Sequence, residues 1–174
     1  MPGMTGVTNA SSLGRCAKNN KGKMKELTHI TEKGKINMVD VSGKPEEIRT
    51  AEATGHISLG PETMSLIRDS RSPKGDVLTV AELAGIMGGK KTSELIPLCH
   101  PLQITKMDVI ISLDKTGVRV NTLARCIGPT GVEMEALTAA SVALLTVYDM
   151  CKAVDKGMII DEIKLVRKTK QGRD

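Results

Sequence analysis

Apolar and polar residues alternate most regularly in RTAEATGHISL (49–59), where Ala51, Ala53, Gly55, Ile57 and Leu59 share one side and Glu52, Thr54, His56 and Ser58 the other. A period of two is that of a strand with one buried face. His56 thereby falls on the polar face, where a solvated histidine is expected. Two more runs, ITKMDVIISL (104–113) and GVRVNTLARCI (117–127), are joined through Asp114, Lys115, Thr116 and Gly117 and predict a hairpin. INMVDVS (36–42) predicts a further short strand, and DEIKLVRK (161–168) a closing one.

Between these runs the period changes to three and four. GPETMSLIRD opens a helix with Pro61 at its first position and Glu62 in its first turn. GDVLTVAELAGIM places Val77, Val80, Leu83, Ala84 and Met87 at helical spacing, which predicts their side as the buried one. Residues 133–156 predict a long helix on which Glu135, Thr138, Val142, Leu145, Asp149 and Lys152 follow one another as a single stripe with an apolar, buried middle. Antiparallel strands with helices packed on one face of their sheet predict the α+β class. At 174 residues the chain is the size of one domain.

Residues 1–25 break every pattern: they are rich in Gly, Ser, Thr, Asn and Lys and too poor in apolar surface to offset their ordering entropy. They predict a disordered basic extension ahead of a folded domain over 26–174. With one Arg and no amphipathic periodicity the extension makes a poor transit peptide. The chain carries a formal charge of +5, but five of its basic residues and none of its acidic ones lie in this extension. The remaining body is therefore neutral overall, which argues against a polyanion-binding surface.

Composition narrows the function classes further. There is no Trp or Phe and only one Tyr, Tyr148, so the core must be built from Leu, Ile, Val, Ala and Met, and the rings on which single-stranded nucleic acids stack are missing. No apolar run is expected to approach the ~18–20 residues of a membrane span. Four cysteines, at 16, 99, 126 and 151, form no CxxC pair, so reduced thiols in the cytoplasm are expected rather than a disulfide framework or a zinc site.

Three segments carry candidate chemistry. AGIMGGKKT (84–92) has the glycines and lysines of a phosphate-binding loop, but Gly85 stands only four residues before Gly89, position 91 is Lys where a metal-binding hydroxyl is required, and the preceding residues read as helix. The loop is rejected; Lys90 and Lys91 remain as two cations near a helix end or as a bland surface pair. In PLCHPL (97–102), Pro97 and Pro101 stiffen the chain around Cys99 and His100. That stiffness either aims the pair or merely holds a buried Cys beside a hydrogen-bonded His.

The third segment is the long helix, with Glu133 and Glu135 at its start and Asp149 three residues before Lys152 at its end. Such a pair is a surface ion pair, or, where bordering apolar positions desolvate it, an acid-base pair with pKa values moved toward neutrality. At a rise of about 1.5 Å per residue, Glu135 and Asp149 stand about 21 Å apart on a continuous helix. They cannot both reach one small ligand within a chain, which predicts a site shared between subunits of an oligomer.

LTHI, MVDVS followed by Lys44, KGDVL, AGI with TSELIPLCHPL, TGVEMEALTAASVALLTVYDMCKAV and IKLVRKTK, in this order over residues 26 to about 170, together resemble the molybdenum cofactor biosynthesis protein C family, the cyclic pyranopterin monophosphate synthases. The resemblance implies a ferredoxin-like subunit, a homohexamer arranged as a trimer of dimers, and active sites at subunit interfaces. It also implies a lyase that converts (8S)-3',8-cyclo-7,8-dihydroguanosine 5'-triphosphate into cyclic pyranopterin monophosphate and diphosphate. Carried onto this chain, it makes Asp149 and Lys152 the acid-base pair and Lys74 a further catalytic cation. Leu98, Cys99 and His100 become one wall of the substrate pocket, and Glu133, Met134 and Glu135 another. Arg49, Lys90 and Lys168 become the triphosphate-binding cations.

Neither a protein-held metal nor another cofactor is implied, and Mg²⁺ can accompany a triphosphate without a protein cage. Two departures stand out: Lys91 replaces an Arg, losing a bidentate fork, and KTKQGRD replaces a more Gly-rich ending after Lys168. The competing expectation is a non-catalytic anion- or nucleotide-binding homo-oligomer on the same scaffold.

Overall fold

The alternating runs meet in one sheet. In the computed structural model, which describes residues 34–70 and 74–172, strand β1 (Glu47–Ser58) pairs antiparallel with β3 (Gly117–Gly128) on one side and with β4 (Ile159–Gly172) on the other, while β2 (Ile104–Leu113) pairs with β3. The strand order is β2-β3-β1-β4. Helices α1 (Pro61–Arg68), α2 (Val77–Lys90) and the single turn α3 (Thr92–Leu95) lie between β1 and β2, and α4 (Glu133–Cys151) lies between β3 and β4. The chain divides into units 1–37 and 38–174, and the sheet and helices belong to the second. The fold is α+β, as expected. The predicted extension over 1–25 and the LTHI segment lie outside the described residues.

The predicted hairpin forms with its boundaries almost unchanged, because Asp114 builds the turn by accepting hydrogen bonds from the backbone N–H groups of Thr116 at 2.8 Å and Gly117 at 3.0 Å. Alternate residues of β1 and β3 face inward, fully or almost fully buried: Ile57, Val118 and Val120 cluster with Ala139, Ala140, Ala143, Leu144 and Val147 of α4, and Ala51, Ala53, Ala124 and Cys126 cluster with Val132 and Ala136 at the start of that helix.

Four expectations are corrected. Residues 36–42 carry no extended strand, since Asp40 turns the chain back by accepting from both the backbone N–H and the hydroxyl of Ser42. The long helix stops at Cys151 rather than near 156, and Asp155 then accepts from Gly157 N at 2.9 Å and from Gly60 N at 2.6 Å, turning the chain into β4. His56 is 5% exposed rather than solvated, because the hairpin turn and the start of β4 close over it: Nδ1 lies 3.2 Å from Asp161, and Nε2 lies 3.2 Å from Thr116 Oγ1 and 3.4 Å from Asp114. Finally, α4 is long and apolar enough by length and composition to cross a membrane, contrary to the expectation that no segment is. Half of its apolar window is buried within this protein.

Both helical stripes are also displaced. In α2 the inward residues are Val77, Ala81, Gly85, Gly88 and Gly89, whereas Val80, Leu83 and Met87 are 42%, 59% and 53% exposed. The glycines of AGIMGGKK serve close helix packing: a Cβ on Gly85 would stand 3.0 Å from the Ala139 carbonyl oxygen, and one on Gly88 would stand 2.6 Å from Val142. Along α4, Glu135 and Thr138 are buried while Leu145, Asp149 and Lys152 are exposed. Spacings that average under 3.6 residues wind slowly around the helix, so the chosen stripe drifts by roughly 100° from the core to the surface over its length.

Candidate active site

The end of α4 gathers three of the sequence-predicted groups. Lys152 follows the last helical residue, and its ammonium donates to Asp149 Oδ1 at 2.6 Å. Lys74 arrives from the connection between α1 and α2. There Gly75, with φ of +92°, turns the chain into Asp76, whose carboxylate caps α2 by accepting from Leu78 N and Thr79 N. The Lys74 ammonium donates to the Asp149 carbonyl at 2.9 Å and lies 3.7 Å from its Oδ2.

All three side chains are exposed, which changes the expected electrostatics. The hydrogen bond from Lys152, then the charges of Lys152 and Lys74, hold Asp149 below the ordinary carboxylate range, and the same hydrogen bond raises Lys152. Ion pairing thus moves the two pKa values apart. The expectation that desolvation draws them toward neutrality is not met in this chain, since water reaches both groups.

The start of α4 is recessed. A cavity of about 410 Å³ is lined by Arg49, Thr50, Gly131, Val132, Glu133, Lys168, Thr169 and Lys170. Arg49 on β1 is held by the turn that leads into α4: Nε donates to the Gly128 carbonyl at 3.0 Å, and Nη2 donates to the Pro129 carbonyl at 3.2 Å and to Glu47 at 2.6 Å. Lys168 on β4 donates to Glu133 at 2.9 Å. Burial raises the Glu133 pKa, but the Lys168 hydrogen bond, together with the Lys168 and Arg49 charges, outweighs it and leaves the carboxyl below its ordinary range.

Two residues further along α4, Glu135 is 4% exposed and its Oε2 has no hydrogen-bond partner among the described residues. Burial, followed by the nearby Glu133 charge, raises its pKa, although a backbone hydrogen bond partly offsets the rise. Burial and then the Glu135 charge also raise the Cys99 thiol, which disfavours a thiolate there. His100 Nε2 donates to the Val39 carbonyl at 2.8 Å, so the hydrogen-bonded histidine weighed for PLCHPL is realised.

The family model for the MoaC family matches residues 38–171. This chain belongs to the MoaC family. It is 55% identical over 147 residues to the cyclic pyranopterin monophosphate synthase of Thermomicrobium roseum, covering 83% of this chain and 89% of that one. It is 54% identical over 147 residues to the synthase of the same name from Parvibaculum lavamentivorans, and 51% identical over 144 residues to that of Peptoclostridium acidaminophilum, in each case covering 83% of this chain and 92% of the relative.

The residues singled out by family resemblance fall into separate groups. Lys74, Asp149 and Lys152 meet at the end of α4, and Arg49, Glu133 and Lys168 surround the cavity at its start. Cys99 and Glu135 lie close enough for the charge of one to move the pKa of the other. Leu98, Cys99, His100, Met134, Glu135 and the exposed Lys90 do not line the cavity that Arg49 and Lys168 share. Sequence reading missed Glu47, which binds Arg49, and Lys170, which enters the same cavity. Lys168 and Lys170 stand two apart on one strand, and that spacing was the available signal for Lys170.

Proposed function

We propose that this chain is a cyclic pyranopterin monophosphate synthase, a lyase of molybdenum cofactor biosynthesis that converts (8S)-3',8-cyclo-7,8-dihydroguanosine 5'-triphosphate into cyclic pyranopterin monophosphate and diphosphate. The carrying observation is Asp149 held between two ammonium groups in the family's YDMCK and KGDV segments. Remaking a purine-derived ring system moves protons, and closing a cyclic phosphate requires a hydroxyl oxygen to displace diphosphate at phosphorus. Asp149, kept ionised by its partners, is the proton acceptor, Lys152, kept protonated, is the donor, and Lys74 is a further cation beside them. Arg49, Lys168 and Lys90 bind the triphosphate and its leaving charge, with Mg²⁺ entering, where it does, on the phosphates as part of the substrate. The walls formed by Leu98, Cys99 and His100 and by Glu133, Met134 and Glu135 hold the guanine-derived part.

The proton-transfer cluster and the phosphate cavity lie at opposite ends of α4, about 21 Å apart by helical rise. A complete site therefore joins the end of one α4 to the start of another, in a homohexamer built as a trimer of dimers. Two surfaces support that assembly. The stripe of Val80, Leu83 and Met87 is exposed, and β4 is an exposed edge strand carrying Ile163, Leu165 and Val166. The order β2-β3-β1-β4, with helices inserted after β1 and after β3, supports a ferredoxin-like subunit. Free thiols at Cys99, Cys126 and Cys151 support residence in the cytoplasm.

Diphosphate release from the enzymatically prepared cyclised triphosphate tests the reading. Release at a rate that the folded Asp149→Asn and Lys152→Ala variants lose supports it. Binding of the triphosphate without release refutes it and favours the anion-binding oligomer.

A further inference from the structure

In the register of the sheet, Arg49 on β1 stands directly opposite Lys170 on β4. Like charges placed directly across a ladder destabilise it. One acid compensates both: Glu47 lies 2.6 Å from Arg49 and 3.6 Å from Lys170 through its two carboxylate oxygens. Lys168, two residues earlier on the same strand, is already engaged with Glu133. Three cations thus converge on two carboxylates where the sheet opens beside the start of α4.

The same place is where two cavities meet. The one of about 410 Å³ continues into a second of about 350 Å³, and Arg49, Gly131 and Lys170 line both. Lys44 and Pro129 line only the second. Arg49 is 17% exposed and tied to two backbone carbonyls, so it is a fixed charge. Lys170 is 69% exposed and reaches Glu47 at 3.6 Å. An exposed pair of this kind stabilises little, so the ammonium leaves Glu47 readily for a phosphate oxygen, a stronger charge-assisted partner.

We propose that Lys170 is a further polyphosphate-binding residue of this site, taking the terminal phosphates of the substrate where the two cavities join. This assignment rests on the lyase reading for the identity of the substrate, but not for the chemistry recognised. Lys168 and Lys170 lie about 7 Å apart along the strand and on the same face, a spacing that straddles neighbouring phosphates. The pair selects a triphosphate over a monophosphate, because a single phosphate engages only one of the two ammonium groups. Lys170 lies in the stretch KTKQGRD, where this chain departs from the Gly-rich ending of the family.

The test is calorimetric titration of the full chain with inorganic triphosphate and with inorganic phosphate. Lys170→Ala is expected to weaken triphosphate binding about tenfold, leave phosphate binding nearly unchanged and regain most of the affinity as Lys170→Arg. Lys164→Ala, at an exposed lysine paired with Glu162 on the same strand, is the control for net charge and is expected to bind as wild type. Equal affinity of Lys170→Ala and wild type, equal weakening by Lys164→Ala, or no triphosphate binding at all overturns the assignment. Lys170-dependent triphosphate binding without diphosphate release from the cyclised substrate refutes the lyase and leaves Lys170 a polyphosphate ligand. Diphosphate release with an unchanged KM in Lys170→Ala does the reverse.

Discussion

The two ends of α4 solve opposite electrostatic problems. At its end, Asp149 is exposed and paired with the exposed Lys152 and Lys74, and pairing favours the charged forms of Asp149 and Lys152. At its start, Glu135 is buried with an oxygen unpartnered among the described residues and its pKa is raised, while the less buried Glu133, two residues earlier, is drawn down by Lys168. The difference is between charge set by partners in water and charge set by burial. One end holds paired charges in water, and the other encloses a cavity. The proposed site needs both.

The largest expected effect is at the exposed end. Asp149→Asn and Lys152→Ala each remove one half of the proposed proton-transfer pair and are expected to lower kcat for diphosphate release about 10²–10⁴-fold. Because both residues are exposed, their unfolding midpoints in urea should stay close to wild type. A large loss of stability with kcat intact would reverse the roles assigned to the two ends.

A smaller effect is expected where α2 supports the buried end. Gly85→Val places its new atoms against the Ala139 carbonyl and Ala143, so the helices must separate, at a cost of about 1–3 kcal/mol in urea unfolding. Gly43→Ala meets no atom of the described residues within 4 Å and is expected to be near neutral.

The smallest effect is at Glu135 and depends on pH. Its folded-state pKa is raised, so its contribution to stability is present below the unfolded pKa and is lost as pH rises through the folded value. Glu135→Gln is therefore expected to gain about 1 kcal/mol on the alkaline side and nothing in acid, read from unfolding midpoints at the two pH values. A gain that is independent of pH would show that the carboxylate carries no burial cost.

The hairpin was legible in the sequence because everything that makes it is local: two alternating runs and Asp114 accepting from residues two and three positions on. His56 was misread because the groups that bury it, Asp114 and Asp161, are distant in sequence. The face of α2 was misread because Ala81, Gly85 and Gly88 are chosen for closeness to α4, and a pattern of large apolar residues cannot mark a site selected for small ones. Residues 36–42 alternate like a strand, yet Asp40 and Ser42 satisfy each other first. At the candidate site, Asp149 and Lys152 were legible from helical spacing, and Lys74 only through the family's motifs. Lys170 and Glu47 needed the register of β1 against β4.

The central claim is that one site takes its acid-base pair from one chain and its phosphate cavity from another. Co-refolding equal amounts of Lys152→Ala, impaired at the end of α4, and Lys168→Glu, impaired at its start, tests it directly through diphosphate release, with mixed assembly verified by a mass tag on one variant. If the sites are shared, about a quarter of them are whole in the mixed oligomers, and activity rises well above that of either variant alone. Mixed oligomers no more active than the two variants assayed separately would contradict the account and place the whole site within a single chain.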